Sequence, residues 1–290
     1  MKQIGMVTCE LFPQLITDDL LAIPHLAQRS INTNVVIWDE THISKIKNFD
    51  ALIFRSCWNY HEKYQQFLDF LSQVESLKIP VFNSIEAIRW NLNKKHIIEF
   101  EGHVSVPKTH FLQAGQMFSQ QILKMFLRDW PSNYVVVKPA VSLNGYDTYL
   151  IEVAEFKKIE STVQAILKTR DVLIQEYIPE IKTSGEVSLV YFNKKFSHAV
   201  RKRAAHGEFR IHAEYGGTRE KLNPSAETLK YGDEVLKLVK DDLLYARVDL
   251  VESKDGPKLI ELEITDPMLY LQNNDQAPKT WANAIAQILK

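Results

Sequence analysis

Two alternating patterns of apolar and polar positions organise the first third of the chain. Short unbroken apolar runs at residues 4–8, 35–38, 51–54 and 80–82 read as strands buried on both faces. Between them, residues 18–29 and 61–77 carry apolar side chains at helical spacing, with Phe67, Leu68, Leu71, Val74 and Leu77 on one face. Strands alternating with helices predict a parallel sheet covered on both sides. A further helix is predicted over residues 85–100, and Gly102 and Pro107 then mark a boundary. Beyond it the rhythm changes. Strands are predicted at 135–138, 148–152, 172–177, 186–192, 195–203, 244–252 and 258–265, with helices at 116–127, 155–168, 226–241 and 279–289. Several strands are joined by short turns, such as Asn193-Lys194 and Ser253-Lys254-Asp255-Gly256-Pro257, which signal hairpins. The chain reads as an α/β unit followed by an α+β unit.

Composition narrows the class. The 290 residues are 45% hydrophobic and 24% charged, an ordinary globular balance, and the length predicts two or three packed units. A formal net charge of -1 supplies no basic field for a polyanion, so nucleic acid is not an expected partner. Two cysteines, Cys9 and Cys57, are too few for a disulfide framework and suit a reducing compartment. The opening apolar stretch is too brief for a signal peptide, and no apolar run reaches the roughly 20 residues of a membrane helix. A soluble cytoplasmic protein without a membrane partner is expected. Glu10-Leu11-Phe12-Pro13 follows the first strand where a dinucleotide fingerprint would need glycines, which argues against a nicotinamide cofactor.

Candidate chemistry concentrates in a few segments. Alternation in residues 259–264 puts Glu261 and Glu263 on one face and Ile260, Leu262 and Ile264 on the other. In an antiparallel hairpin with the preceding strand, Asp249 falls opposite Glu261 and Arg247 opposite Glu263. Like charges facing each other destabilise a sheet, so these carboxylates want more positive charge than one arginine. Oxygen-only ligands suit Mg²⁺ held jointly with substrate phosphates, although the same face alone serves equally as a solvated surface. Val135-Val136-Val137-Lys138-Pro139 ends an apolar strand in a lysine, before a small-residue loop containing Ser142 and Gly145. That arrangement can neutralise a phosphate; a lysine snorkelling at a strand end is the plain alternative. Lys94 stands near the start of a helix, where it either faces the same nucleotide or lies on the surface. Gln175-Glu176-Tyr177-Ile178 leads into Pro179, where a breaking strand can offer backbone to an adenine edge. Arg55 and Ser56, with Trp58 or Asn59 beside them, end the third strand, where open parallel sheets bind small ligands. Helix capping by Ser56 and packing by Trp58 are equal alternatives. Cys57 has no base beside it and reads as structural. His198, His206 and His212 lack zinc-site spacing and read as surface or packing histidines.

Taken in order, Lys94, Lys138, the loop 142–145, Gln175-Glu176-Tyr177-Ile178, a basic strand and Asp249…Glu261-x-Glu263 resemble the ATP-grasp superfamily from residue 94 to 267. Within it, Glu208-Phe209-Arg210 followed by Gly216-Gly217 is similar to the glutathione-synthetase and ribosomal-protein glutamate ligase group. Arg55-Ser56-Cys57-Trp58-Asn59-Tyr60-His61, Arg89-Trp90-Asn91, Ser197-His198-Ala199-Val200-Arg201-Lys202-Arg203 and Ile260-Glu261-Leu262-Glu263 resemble the branch containing the ligase that closes the cycloserine ring. The loop 142–147 carries fewer glycines than is usual in the superfamily, and Glu263 stands where many relatives have asparagine.

The resemblance implies an ATP-grasp fold: an N-terminal Rossmann-like parallel sheet (1–90), then two α+β subdomains clasping ATP (91–175 and 176–290). It implies an ATP- and Mg²⁺-dependent ligase, with Mn²⁺ as a substitute ion. Such an enzyme activates a carboxylate-like group as an acylphosphate and joins it to an amine of a small amino-acid-like substrate, or closes a ring within one. A small-molecule kinase and a non-catalytic nucleotide-binding regulator are the alternatives. The implied roles put Lys94 and Lys138 on phosphates, with Ser142 and Gly145 in the covering loop. Gln175, Glu176, Tyr177 and Ile178 would hold adenine, and Glu186 the ribose or the metal's surroundings. Asp249, Glu261 and Glu263 would bind metal, Arg210 and Arg203 would act in catalysis, and Arg55, Ser56, Trp58 and Asn59 would read the substrate. Homodimers are common among such relatives.

Overall fold

The apolar runs of the first third pair side by side. In the computed structural model, which describes residues 1–290 except 129, 131, 206, 207, 209 and 212–214, β1 (Lys2–Thr8), β2 (Ile31–Ile37), β3 (Ala51–Ser56) and β4 (Val81–Phe82) form a parallel sheet in the order β2-β1-β3-β4. The helix predicted over 18–29 is instead two short ones, α1 (Thr17–Leu20) and α2 (Ile23–Ala27). Pro24 stands in the first turn of α2; lacking an N–H, it starts a helix better than it continues one. α3 (Tyr64–Ser76) buries Phe67, Phe70, Leu71 and Val74. α4 (Ile85–Leu92) ends at Asn93, whose extended backbone breaks the helix predicted to run to 100. A 3₁₀ segment, Lys94–Phe100, follows, with the Asn93 side chain capping it at Lys95 N. That break turns Lys94 away from the line of α4.

The rest of the chain is antiparallel. β5 (Thr109–Leu112), β6 (Tyr134–Pro139), β7 (Tyr149–Glu152) and β8 (Val172–Glu176) form a sheet ordered β5-β8-β6-β7. α5 (Gln120–Phe126) and α6 (Phe156–Leu167) pack on it; Leu123, Ile159 and Val163 share its core. After the short α7 (Glu180–Thr183) come β9 (Glu186–Phe192), β10 (Lys195–Arg203), β11 (Thr218–Leu222), α8 (Ala226–Leu238), β12 (Tyr245–Ser253), β13 (Gly256–Glu263) and α9 (Ala277–Ile288). Their strands order β11-β10-β9-β12-β13. Asn193 and Lys194 both adopt positive φ, 49° and 55°, as a two-residue hairpin turn demands. β5 and β11 are absent from the sequence reading. Each is a short edge strand, and β11, Thr-Arg-Glu-Lys-Leu, carries the charges that protect an exposed edge rather than a buried apolar run.

The sheets are not independent bodies. One apolar cluster joins Ile4, Met6 and Ile53 to Val190, Tyr245 and Trp281, uniting the first and third sheets with α9. Two buried asparagines pin the end of β13 to the N-terminal unit. Asn83 Nδ2 donates to Tyr245 O and Ile264 O at 2.9 and 2.7 Å, and its Oδ1 accepts from Leu244 N at 2.7 Å. Asn91 Nδ2 donates to Leu262 O at 2.7 Å, and its Oδ1 accepts from Ile264 N and Thr265 N at 2.9 and 3.2 Å. Truncating Asn91 strands buried backbone groups at the foot of the acidic hairpin. Asn91→Ala is therefore expected to lower unfolding free energy by about 2–3 kcal/mol in urea titration, and a loss below about 0.5 kcal/mol would show that water replaces the amide. Among the described residues, no helix is long and apolar enough to cross a membrane.

Candidate functional site

The second and third sheets face each other across a cavity of about 240 Å³. Lys138, Gln175 and Glu176 line it from β6 and β8; Glu186, Asp249, Glu261 and Glu263 line it from β9, β12 and β13. Lys94 reaches it because the chain breaks at Asn93 and the Lys94 amide then bonds Ala140 O at 2.7 Å. The hairpin's own geometry matters here. Leu250 pairs with Leu259 but Asp249 with Glu261, so Ile260 is an extra, bulged residue. The bulge shifts the register by one and puts Glu261 opposite Asp249 and Glu263 opposite Arg247.

Charge in the cleft is densely paired. Arg247 Nε and Nη2 donate to Asp249 at 3.0 and 2.8 Å, and Nη2 also bonds Glu263. Lys202 bridges Asp249, at 3.3 Å, and Glu186. Lys94 pairs with Glu261. Burial opposes ionisation of Asp249, yet Arg247 and Lys202 outweigh it and hold the carboxyl below its ordinary range. Burial likewise opposes charge on Glu261, which Lys94 and Lys138 pull down to about 2. Glu263 and Glu186 go the other way. Burial, with neighbouring carboxylates adding to it, lifts each to about 7 against the pull of Arg247 or Lys202.

Lys138 is different. Its Nζ donates to Gln175 Oε1 at 3.0 Å, and no carboxylate is bonded to it among the described residues. Burial brings its pKa down to about 8, with Lys94 adding to the effect and Glu261 opposing it. The ammonium is therefore half lost near pH 8, nearly complete a unit or more below it and progressively lost above it. Affinity for ADP, measured without metal, should weaken on the order of tenfold between pH 7.5 and 9.5, and Lys138→Gln should flatten that slope. A wild-type affinity that is level across this window would remove Lys138 from the anion site.

Among the described residues, no three His, Cys, Asp or Glu side chains are grouped as a metal cage. Asp249, Glu261 and Glu263, expected to meet around magnesium, line one cavity, where Arg247 pairs with Asp249 and Glu263 and Lys94 pairs with Glu261. The donor set nevertheless fits a hard divalent ion, since Glu186, Asp249, Glu261 and Glu263 present only oxygen to one cavity.

The remaining expected site residues divide clearly. Ser142, Gly145, Tyr177, Ile178, Trp58 and Arg210 line the same cavity. Ser142 Oγ bonds Tyr146 O at 2.6 Å, bracing the loop, and Glu176 Oε2 accepts from Lys108 N at 3.2 Å. The Arg210 guanidinium lies 3.5 Å from the Tyr215 ring centre and is paired with Glu208 at 2.7 Å. Arg55, Ser56 and Asn59 do not reach the cavity. Arg55 is fully buried, its Nε on Asp19 at 2.9 Å and its Nη2 on Pro267 O at 2.7 Å. Ser56 bonds Thr8, and Asn59 bonds Trp38 and Asp39. Ser56 and Asn59 thus bond within the N-terminal unit, and Arg55 and Trp58 tie the strand end, where a ligand was expected, to the loop 266–268. Arg203 is also corrected. Strand alternation turns it toward Thr183 O and Glu220, while Lys202 faces the cavity. Cys57 and Cys9 are buried, with thiol pKa values raised by burial. His198 Nε2 lies 2.8 Å from Leu269 O inside the protein, and His206 and His212 lie outside the described residues.

Lys202, Arg247, Arg219, Met268 and Tyr270 line the cavity without having been singled out for it. For Lys202 the sequence held no signal: a plain hairpin about Asn193-Lys194 pairs Glu186 with Arg201, and the irregularity between Phe196 and His198 shifts the register so that Lys202 meets Glu186.

Residues 92–276 match the family model of the RimK-like ATP-grasp domain, and residues 4–83 match that of the D-cycloserine synthetase DcsG N-terminal domain. The chain is 24% identical over 270 residues to the cycloserine biosynthesis protein DcsG of Streptomyces lavendulae, with 90% of each chain covered. It superposes on the crystal structure of D-cycloserine synthetase DcsG with a TM-score of 0.87 at 22% identity, covering 99% of this chain and 100% of that one. For D-alanine–D-alanine ligase from Bacillus anthracis the TM-score is 0.71 at 16% identity, with 100% and 97% covered. These superpositions establish an ATP-grasp fold.

Proposed function

The chain belongs to the RimK-like ATP-grasp family, and from that premise we propose that its cleft binds Mg·ATP between Lys94 and Lys138 on one side and Asp249, Glu261 and Glu263 on the other. The enzyme is an ATP-dependent ligase that forms carbon–nitrogen bonds. The observation that carries the site assignment is the shared cavity: both lysines and all three carboxylates line it, together with the strand end Gln175-Glu176-Tyr177-Ile178.

Asp249, Glu261 and Glu263 would hold the Mg²⁺, which would supply neutralisation of the phosphate charge. Lys138, oriented by Gln175, takes a phosphate oxygen, and Lys94 transfers to another from its rest position on Glu261. Ser142 and Gly145 cover the phosphates. A carboxylate oxygen of the substrate attacks the γ-phosphorus of ATP, the bond to the bridging oxygen breaks, and ADP departs. An amine nitrogen then attacks the acylphosphate carbonyl, inorganic phosphate leaves and the nitrogen loses a proton. Arg210, held by Glu208 and Tyr215, stabilises the charge on the transferring phosphoryl group and then on the tetrahedral oxyanion.

The substrate is small and amino-acid-like. A screen for Mg²⁺-dependent ADP release across amino acids and short peptides, singly and in pairs, with mass spectrometry of each hit, tests the reading. ADP formed only with an amine acceptor identifies a ligase; a stable phosphorylated product identifies a kinase. Tight Mg·ATP binding with no ADP from any compound would reduce the protein to a nucleotide sensor. A second reading, ring closure within one molecule, draws on the N-terminal match to the cycloserine synthetase over residues 4–83. It predicts ADP release with a single compound and a product lighter by one water.

A further inference from the structure

We propose that Arg219, seated on the ring of Tyr270 at the mouth of the cleft, is the specificity-determining cation that receives the non-reacting α-carboxylate of an amino-acid substrate. This inference rests on the ligase reading and names the substrate group recognised at the end of the same cleft.

Charge balance in the cavity leads to it. Lys94, Lys202, Arg247 and Arg210 each have a carboxylate partner. Arg219 also lines the cavity, yet among the described residues it has no carboxylate; its Nη1 lies 2.7 Å from Met268 Sδ and its guanidinium 5.5 Å from the Tyr270 ring centre. A thioether and an aromatic face position a guanidinium without neutralising it. Lys138, which also has no bonded carboxylate, is buried in the opposite wall against Gln175, at the end assigned to ATP.

The sheet register sharpens the point. In the β10–β11 pair, Arg219 stands directly opposite Lys202, and directly opposed residues share a face. Two cations side by side repel, and the carboxylates nearby are already spent on Lys202. Glu220, the acidic neighbour on β11, is opposite Arg201 and so on the other face. Arg219 is exposed, so water screens that repulsion and its guanidinium stays open to an anion entering the cleft. Thus the cleft mouth is set up for one.

Tyr270 fixes where that anion lies. Its backbone is left-handed, φ 52° and ψ 37°, a costly conformation for a bulky side chain. There its ring is shared by Arg219, at 5.5 Å, and by Arg247, at 5.4 Å. Arg247 is bound to Asp249 and Glu263, so one guanidinium on the ring belongs to the metal side and the other faces the cleft mouth. Arg219 stands on the edge strand β11, whereas Lys138 comes from β6 of the facing sheet, so a carboxylate on Arg219 meets a different wall of the cavity from the one that offers Lys138. Trp58 and Met268 line the same cavity as apolar surface for the substrate's carbon chain. A planar guanidinium accepts a carboxylate through two parallel bonds, a geometry lysine cannot reproduce.

The test uses the full chain loaded with Mg·ADP. The proteinogenic L-amino acids and their D-enantiomers, each beside its own α-carboxamide, are titrated by calorimetry. At least one acid should bind about tenfold or more tighter than its amide. Arg219→Gln should bring acid and amide within about twofold of each other while leaving Mg·ADP affinity unchanged, and Arg219→Lys should restore part of the preference. A side chain that merely braced the edge strand would not move the acid-to-amide ratio. The inference is overturned if no acid binds the loaded wild type, or if Arg219→Gln keeps the wild-type ratio. Failure of the wild type to bind Mg·ADP at all would overturn the ligase reading as well.

Discussion

Glu261→Gln should cut Mg²⁺-dependent ADP formation on the order of 10³-fold, while the protein stays folded and still binds nucleotide. The carboxylate has two jobs in this geometry. In the resting cleft it neutralises Lys94, and with Lys138 nearby its pKa is drawn down to about 2, so it remains an anion at any working pH. In the proposed complex it would serve as a metal ligand, from its place opposite Asp249. Glutamine preserves the volume and one oxygen but not the charge. Removing that charge leaves Lys94 and Lys138 in one cavity with less to balance them, so metal-free ADP should bind at least as tightly as to wild type. Turnover and nucleotide affinity thus move apart, and that separation is the diagnostic. Steady-state ADP release read beside calorimetric ADP binding measures both. Turnover at the wild-type level would eliminate Glu261 from the metal site, and loss of both together would mean that the hairpin had collapsed.

Arg210→Ala should lower kcat on the order of 10²–10³-fold with little change in the KM for ATP. The guanidinium is stacked on Tyr215 and paired with Glu208, so its direction is set before any ligand enters. A donor held in advance aids the transition state more than the ground state, because it pays no reorganisation cost when charge develops. Arg210→Lys keeps the charge without the planar fork and should recover only part of the loss. A raised KM for ATP with unchanged kcat would instead make Arg210 a ground-state phosphate ligand.

Side-chain periodicity was enough for the division into an α/β and an α+β unit, and the resemblance carried by the order of the motifs supplied many of the cavity's residues. The alternation in 259–264 already put Glu261 and Glu263 on one face, and an apolar strand ending in Lys138 already offered a lysine to a phosphate, beside the alternative of a snorkelling side chain. Those features depend on local geometry, period two along a strand and the cost of burying charge, which the chain carries wherever it folds. Edge strands escaped for an equally local reason: β11 has an edge's charges and so lacks an apolar signature.

Pairing between distant segments was decided only in three dimensions. Arg55 and Asn59 read as ligand-binding residues because they stand at the end of a parallel strand, yet Arg55 is taken by Asp19 and Pro267 O, and Asn59 by Trp38 and Asp39. Arg203 and Lys202 exchange roles through the facing of a single strand. The irregularity in β10 between Phe196 and His198 sets Lys202 opposite Glu186, and the left-handed Tyr270 sets two guanidiniums on one ring. Along the chain each residue shows its chemistry; which charges remain unbalanced depends on neighbours that sequence distance does not reveal.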